Sequence, residues 1–248
     1  MLSPSTPKNI FAIAGRWACG VAAAGMGLMQ AINADFVRLV PSLPAWWPEP
    51  RIGAVLVGLG LLVIGAAILT GYRQRAAAMA LGALLLGSFL LQRVPEILAN
   101  PSAGYVWTNP AKVLALLGGT LLIGGAAKRG QLAAAILLGV FLLICGAQHF
   151  VYAGFVDTLV PAWIPPGPRF WTYFTAAALL AGGLGVFLPA TRRPAGLWAG
   201  AMILLWVFLV HIPRTVAARN AFELAGVFEA LALGGVSWLV AAHAPQRK

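Results

Sequence analysis

The sequence predicts an all-α integral membrane protein. Its eight transmembrane helices are expected as two tandem four-helix bundles related by a pseudo-twofold axis along the membrane normal. Three observations lead there. First, 60% of the 248 residues are hydrophobic and 9% are charged, with a mean hydropathy of +0.87; soluble domains carry about 45–50% apolar and about 25% charged residues. Second, apolar runs of about 20 residues, the length needed to cross a bilayer, recur eight times. Third, landmarks of the first half return in the second at a nearly constant offset. This composition excludes an ordinary soluble enzyme, a secreted disulfide scaffold and a disordered chain.

The apolar runs fall at 10–33, 52–71, 76–94, 111–127, 131–152, 170–189, 195–212 and 222–242. The first follows Lys8 and Arg16 and contains Ala22-Ala23-Ala24, a pattern shared with signal peptides. Because this run is the counterpart of an internal one, it is read as a retained span. Between the first two runs lies Val40-Pro-Ser-Leu-Pro-Ala-Trp-Trp-Pro48, and between the fifth and sixth lies Val160-Pro-Ala-Trp-Ile-Pro-Pro166. Proline fixes φ and removes a donor, which prevents regular helix through most of loops 34–51 and 153–169; both are expected to fold back onto the outer face instead of extending into water. Asn109-Pro110 reads as an N-cap with proline at the first helical position, opening the fourth span. Asn220-Ala-Phe-Glu223 has capping-box spacing and opens the eighth, which makes Glu223 a capping residue before a functional one. Trp46, Trp47, Trp163 and Trp171 gather on one side and Trp17, Trp198 and Trp238 on the other, as interfacial belts do. Pairs such as Gly182-Gly183 allow helices to approach closely; no phosphate-binding G-x-x-x-x-G-K-[ST] motif occurs.

The repeat has a long period. Leu43-Pro-Ala-Trp-Trp-Pro48 aligns with Val160-Pro-Ala-Trp-Ile-Pro165 at an offset of 117, matching four of six positions. Gln30 and Gln148, Arg75 and Arg193, and Pro95 and Pro213 are each 118 apart, and Gly118-Gly119 precedes Gly234-Gly235 by 116. A period of this length indicates a duplicated unit, with copies at 10–128 and 131–243. Each copy holds an even number of spans, so both enter the membrane in the same sense, as in parallel repeats.

Charge sets the expected orientation. The formal net charge is +11, carried largely by the doublets Arg73/Arg75, Lys128/Arg129, Arg192/Arg193 and Arg247/Lys248. These lie with Lys8 on one side of the membrane without an acidic residue. Lys/Arg excess marks cytoplasmic loops, so both termini are expected in the cytoplasm and the chain in the cell membrane. Interspersed doublets lack a groove-reading element, which argues against nucleic acid as a partner. Cys19 and Cys145 form no C-x-x-C and should differ in depth by about 7 Å on the helical rise, so a disulfide is disfavoured.

The second copy resembles a known family. Gln148-His-Phe150, Val160-Pro-Ala-Trp-Ile-Pro165, Gly182-Gly183-Leu-Gly185, Leu188-Pro-Ala-Thr-Arg-Arg193 and His211-Ile-Pro-Arg214, in that order over about 65 residues, are similar to the DoxX-like membrane proteins. The family unit is a four-helix transmembrane bundle. The first copy keeps Pro44-Ala-Trp46 and Pro95 but has Ala31 opposite His149 and Arg93 opposite His211. A histidine-dependent role would therefore belong to the second copy. The resemblance implies a membrane component of a quinone-linked redox system, or a membrane partner of redox proteins.

Residues that could carry chemistry are the ionisable groups in or at the edge of the spans. His149 ends the fifth span and His211 the seventh, at similar height. Arg214 follows, and Glu229 lies about two turns into the eighth. The expectation is one pocket of His149, His211, Arg214 and Glu229, opening outward and able to hold a quinone head group. The disfavoured sharper version is a bis-histidine haem; the plainer alternative is that the four residues satisfy one another. No catalytic residue and no metal ligand set is assigned, and whether the protein is an enzyme stays open. Lys112, 117 residues before Glu229, is expected to snorkel to the interface, the rival being a pair with Glu229 across the centre. His243 is expected in solvent. The rival functions are a non-catalytic scaffold for partner proteins and a small-solute transporter; no ionisable residue of the inner half continues a path for the latter.

Overall fold

The computed structural model describes residues 9–36 and 49–245. Eight helices are long and apolar enough to cross a membrane, as expected for a multi-pass membrane protein. They are α1 (Ile10–Asn33), α2 (Pro50–Thr70), α3 (Gln74–Ala99), α4 (Tyr105–Ile123), α5 (Lys128–Val151), α6 (Pro168–Phe187), α7 (Arg192–Ala218) and α8 (Ala221–Ala242). No strand occurs among the described residues.

Each helix packs on its neighbours in sequence, and α8 closes the ring against α1 while also touching α4 and α5. The helices run alternately up and down. Asn9 Nδ2 donates to the Ala242 carbonyl, Arg16 to Gln74, and Gln74 to the Ile123 carbonyl, so these ends share one face. This is the near face, and Gln148 reaches the Gly104 carbonyl at the far face. Helices α8 and α4 are the most buried. Their small residues explain why: a Cβ built on Gly235 would meet the Gly15 carbonyl of α1 at 2.8 Å, while one built on Gly119 of α4 would meet Val236 of α8 at 2.4 Å. Lipid offers no hydrophobic drive between helices, so this close approach supplies the packing.

Two helices run longer than the apolar pattern indicates. The sequence pattern ends the third span near 94 and the seventh near 212, at Pro95 and Pro213. Instead α3 and α7 continue through these prolines by way of single π-helical turns, Phe89–Arg93 and Val207–His211. The Val94 N–H donates to the Phe89 carbonyl, five residues back, and Ile212 does the same to Val207. A proline lacks the N–H and its ring crowds the carbonyl four residues before it; the wider turn accommodates both.

The fourth span also departs from its expected start. Helix α4 begins at Tyr105, so Pro110 lies inside it and Asn109 is not an N-cap. The early start is held locally by Trp107 Nε1, which donates to the Pro101 carbonyl at 2.8 Å, and from outside the local sequence by Gln148 of α5, which bonds both Thr108 and the Gly104 carbonyl. At α8 the Asn220 half of the expectation holds, since Asn220 Oδ1 accepts from the Glu223 N–H at 2.9 Å, while the Glu223 carboxylate pairs with Arg214. Segment 153–169 opens with a short helix, Ala153–Asp157, and folds back against the bundle, with Ala153 and Ile164 buried and Asp157 bound to Thr172 (2.7 Å) and Arg169 (2.8 Å). Trp163 nevertheless stays two-thirds exposed. Most of the companion loop 34–51, with Trp46 and Trp47, lies outside the described residues. Both cysteines are free.

Candidate functional site: an intramembrane ion pair beside an apolar cavity

Helices α4 and α8 meet at the middle of the ring, and each brings one ionisable residue there. Lys112 Nζ lies 2.9 Å from Glu229 Oε2. Glu229 is 4% exposed and Lys112 20%. Each lies about two turns from the far-face start of its helix, about 10–12 Å along the axis on the helical rise. The expected snorkelling of Lys112 is thus overturned: its flexible stem turns inward, because a buried carboxylate on the adjoining helix attracts it more strongly than the interface does.

Glu229 also lines a cavity of about 70 Å³. Its walls come from α1 (Cys19, Met26), α2 (Leu61), α3 (Leu81, Leu84, Leu85), α4 (Leu116, Thr120) and α8 (Phe228, Glu229) among others. The wall is hydrocarbon apart from Thr120, Cys19 and Glu229. Thr120 is turned back, its Oγ1 donating to the Leu117 carbonyl at 2.8 Å, and Cys19 Sγ approaches the Ala232 carbonyl at 3.7 Å. The carboxylate is therefore the polar group at this wall, with the Lys112 ammonium beside it.

Of the four residues expected to form one pocket, only Glu229 lines this cavity. Arg214 is engaged by Glu223 through two contacts, Nη2 to Oε1 at 2.7 Å and Nε to Oε2 at 3.2 Å, which tie the end of α7 to the start of α8. His149 places Nδ1 2.7 Å from the Cys145 carbonyl one turn back on its own helix. His211 closes the π-helical turn of α7 and is partly buried, with its carbonyl accepting from Thr215 Oγ1. His243, expected in solvent, is half-buried, with Nδ1 2.8 Å from the Leu239 carbonyl on the last turn of α8.

Two buried polar residues of the first four helices carry no role in the sequence reading. Gln30 and Ser88 are both fully buried. Gln30 Nε2 donates to the Ala54 carbonyl at 3.0 Å. The signal for them is slight: one amide near the end of α1, and one hydroxyl that sequence alone would let satisfy itself on its own helix.

A domain family of unknown function, DUF8561, matches residues 138–241, from within α5 to within α8. No curated protein matches the chain. No solved structure matches it either.

Proposed function

We propose that this chain is the membrane component of a quinone-linked redox system, and that its quinone site is the cavity beside Lys112 and Glu229. One observation carries the reading: Glu229, paired with Lys112 within the spanning region, stands in the wall of an otherwise largely apolar cavity. Ionised groups at this depth are costly, and apolar residues of similar volume would hold two helices as well. Their presence there favours a ligand that uses them. An isoprenoid quinone presents the matching chemistry, a methyl-bearing ring and apolar tail for the leucine and methionine walls and an oxygen for the ammonium. The DoxX-like pattern of the second half points the same way. Of the four residues singled out in the sequence, Glu229 is the one assigned to the ligand.

The reading includes a duplicated architecture, with units at 10–128 and 131–243 and an axis along the membrane normal between α4 and α8. Its support is local geometry repeated at the sequence offset. The two π-helical turns begin 118 residues apart. Contacts of α1 with α2 at Gly20 and Gly65 recur between α5 and α6 at Gly139 and Gly183. The DUF8561 match falls within the second unit. The doublets Arg73/Arg75, Lys128/Arg129 and Arg192/Arg193 support reading the near face as cytoplasmic, with the chain in the cell membrane.

The test is purification in mild detergent followed by solvent extraction and chromatography of the bound lipid. The expected result is near-stoichiometric quinone or quinol in the wild type, and loss of it in a Lys112→Met/Glu229→Leu double variant that elutes as a folded monodisperse species. Wild-type protein without quinone overturns the reading. A stoichiometric protein partner in its place makes the chain a scaffold.

A further inference from the structure

Gln30 Oε1 and Ser88 Oγ are buried and have no hydrogen-bond partner among the described residues. Both residues are 0% exposed. A polar atom left so in hydrocarbon is expensive. The amide orientation of Gln30 follows from its one bond: the Ala54 carbonyl can only accept, so Nε2 faces it and Oε1 points the other way.

Both residues extend the stripes that line the cavity. Gln30 lies one turn beyond Met26 on α1, and Ser88 one turn beyond Leu84 on α3; Met26 and Leu84 are cavity walls. Their heights agree as well. Arg16 Nη1 and Gln74 Oε1, 2.9 Å apart, tie α1 to α3 at the near face. Gln30 is as many residues beyond Arg16 as Ser88 is beyond Gln74, about 21 Å on the helical rise. The two helices run in the same direction, so Gln30 and Ser88 lie at the same height, one turn beyond the cavity walls Met26 and Leu84.

The geometry points to a binding site for a lipid hydroxyl group in the first four helices, with Gln30 Oε1 accepting its proton, Ser88 Oγ donating to its oxygen, and the lipid's apolar part in the cavity. The donor and acceptor inventory selects this group. A side-chain amide oxygen only accepts, whereas a hydroxyl both donates and accepts, so one ligand hydroxyl satisfies both protein atoms. A quinone carbonyl accepts only; it would serve Ser88 and set two acceptors face to face at Gln30. The site therefore prefers a quinol, or a prenyl alcohol of the same tail, to the oxidised quinone. This deepens the quinone reading of the same cavity and rests on it.

The test uses the full chain in lipid nanodiscs, titrated calorimetrically with three probes sharing one short prenyl tail: a quinol kept reduced, its quinone, and the corresponding prenyl alcohol. The wild type is expected to bind the quinol and the alcohol at least about tenfold more tightly than the quinone, the effect of one mismatched hydrogen bond. Gln30→Met is expected to bring the three affinities to within about twofold, whereas Ser88→Ala, which removes a donor serving all three probes alike, is expected to weaken them together and leave the preference in place. Ser88→Ala deletes a single unpartnered atom and so retains the fold, which circular dichroism checks. Equal binding of quinol and quinone by the wild type overturns the inference and leaves the quinone reading standing. Binding of the alcohol alone supports the hydroxyl site and overturns the quinone reading. A preference that survives Gln30→Met, a Ser88→Ala variant that binds all three probes as the wild type does, or no binding of any probe, overturns the inference.

Discussion

Lys112 and Glu229 form a 2.9 Å ion pair between the two most buried helices of the ring. Removing one partner leaves the other charged in a medium that cannot solvate it. Glu229→Leu or Lys112→Met alone should therefore cost about 3–5 kcal/mol, while the double variant should recover most of the loss. Thermal unfolding of the four proteins in one detergent completes the cycle. Additive losses in the double variant would mean that the pair is not coupled.

The closeness of α1 and α8 makes a second prediction with an internal control. A Cβ on Gly15 would lie 2.5 Å from the Gly235 carbonyl oxygen, whereas one on Gly60 would meet nothing within 4 Å. Gly15→Ala should thus force the helices apart and lower the melting temperature, by the equivalent of about 1–3 kcal/mol. Gly60→Ala, with its Cβ in open space on α2, should be neutral or stabilising by up to about 1 kcal/mol, since alanine is the better helix former. Equal effects at the two sites would show that the close contact carries no packing energy.

The eight helices were legible because hydropathy reports the solvent around them, and lipid imposes one rule on every span. The Asn220 cap was legible because the side chain and the N–H it serves are three residues apart. What escaped depends on contacts distant in sequence. Helix α4 starts at Tyr105 through a glutamine on α5, not through Asn109. Proline read as a stop at Pro95 and Pro213, because the π-helical turn that admits it appears only once the whole helix is placed. Lys112 was singled out with both fates in view, and the choice between them turned on a partner 117 residues away. Gln30 and Ser88 were obscured for a related reason. Single polar residues in apolar spans acquire meaning only when the packed helices show which of their atoms no described residue completes.

The proposed orientation can be read directly. A reporter active only in the cytoplasm should work when fused after Lys248 or inserted between Lys128 and Arg129, and should fail when inserted at Thr158, on the far face. The basic doublets motivate this, since Lys/Arg excess resists translocation. Activity at Thr158 with silence at the other two positions would invert the topology without disturbing the fold.

The π-helical turns make the last prediction. Such a turn corresponds to an α-helix with one residue inserted, the helix on either side keeping its facing. Deleting Leu209 from Val207–His211 should let α7 close into regular helix with Trp206 on one side and Arg214 on the other still facing as before. Deleting Leu204 from the regular stretch before it should instead rotate every later residue by about 100°, the step per residue at 3.6 residues per turn. That rotation would carry Arg214 away from Glu223, to which it is joined at 2.7 Å. The Leu209 deletion is therefore expected to yield a monodisperse protein with a modest loss of melting temperature, and the Leu204 deletion to yield aggregate. Because Pro213 crowds the carbonyl four residues before it, adding Pro213→Ala to the Leu209 deletion should restore part of the lost stability. If the two deletions prove equally damaging, the widened turn is not an insertion that the helix accommodates locally, and its role in admitting the proline falls with it.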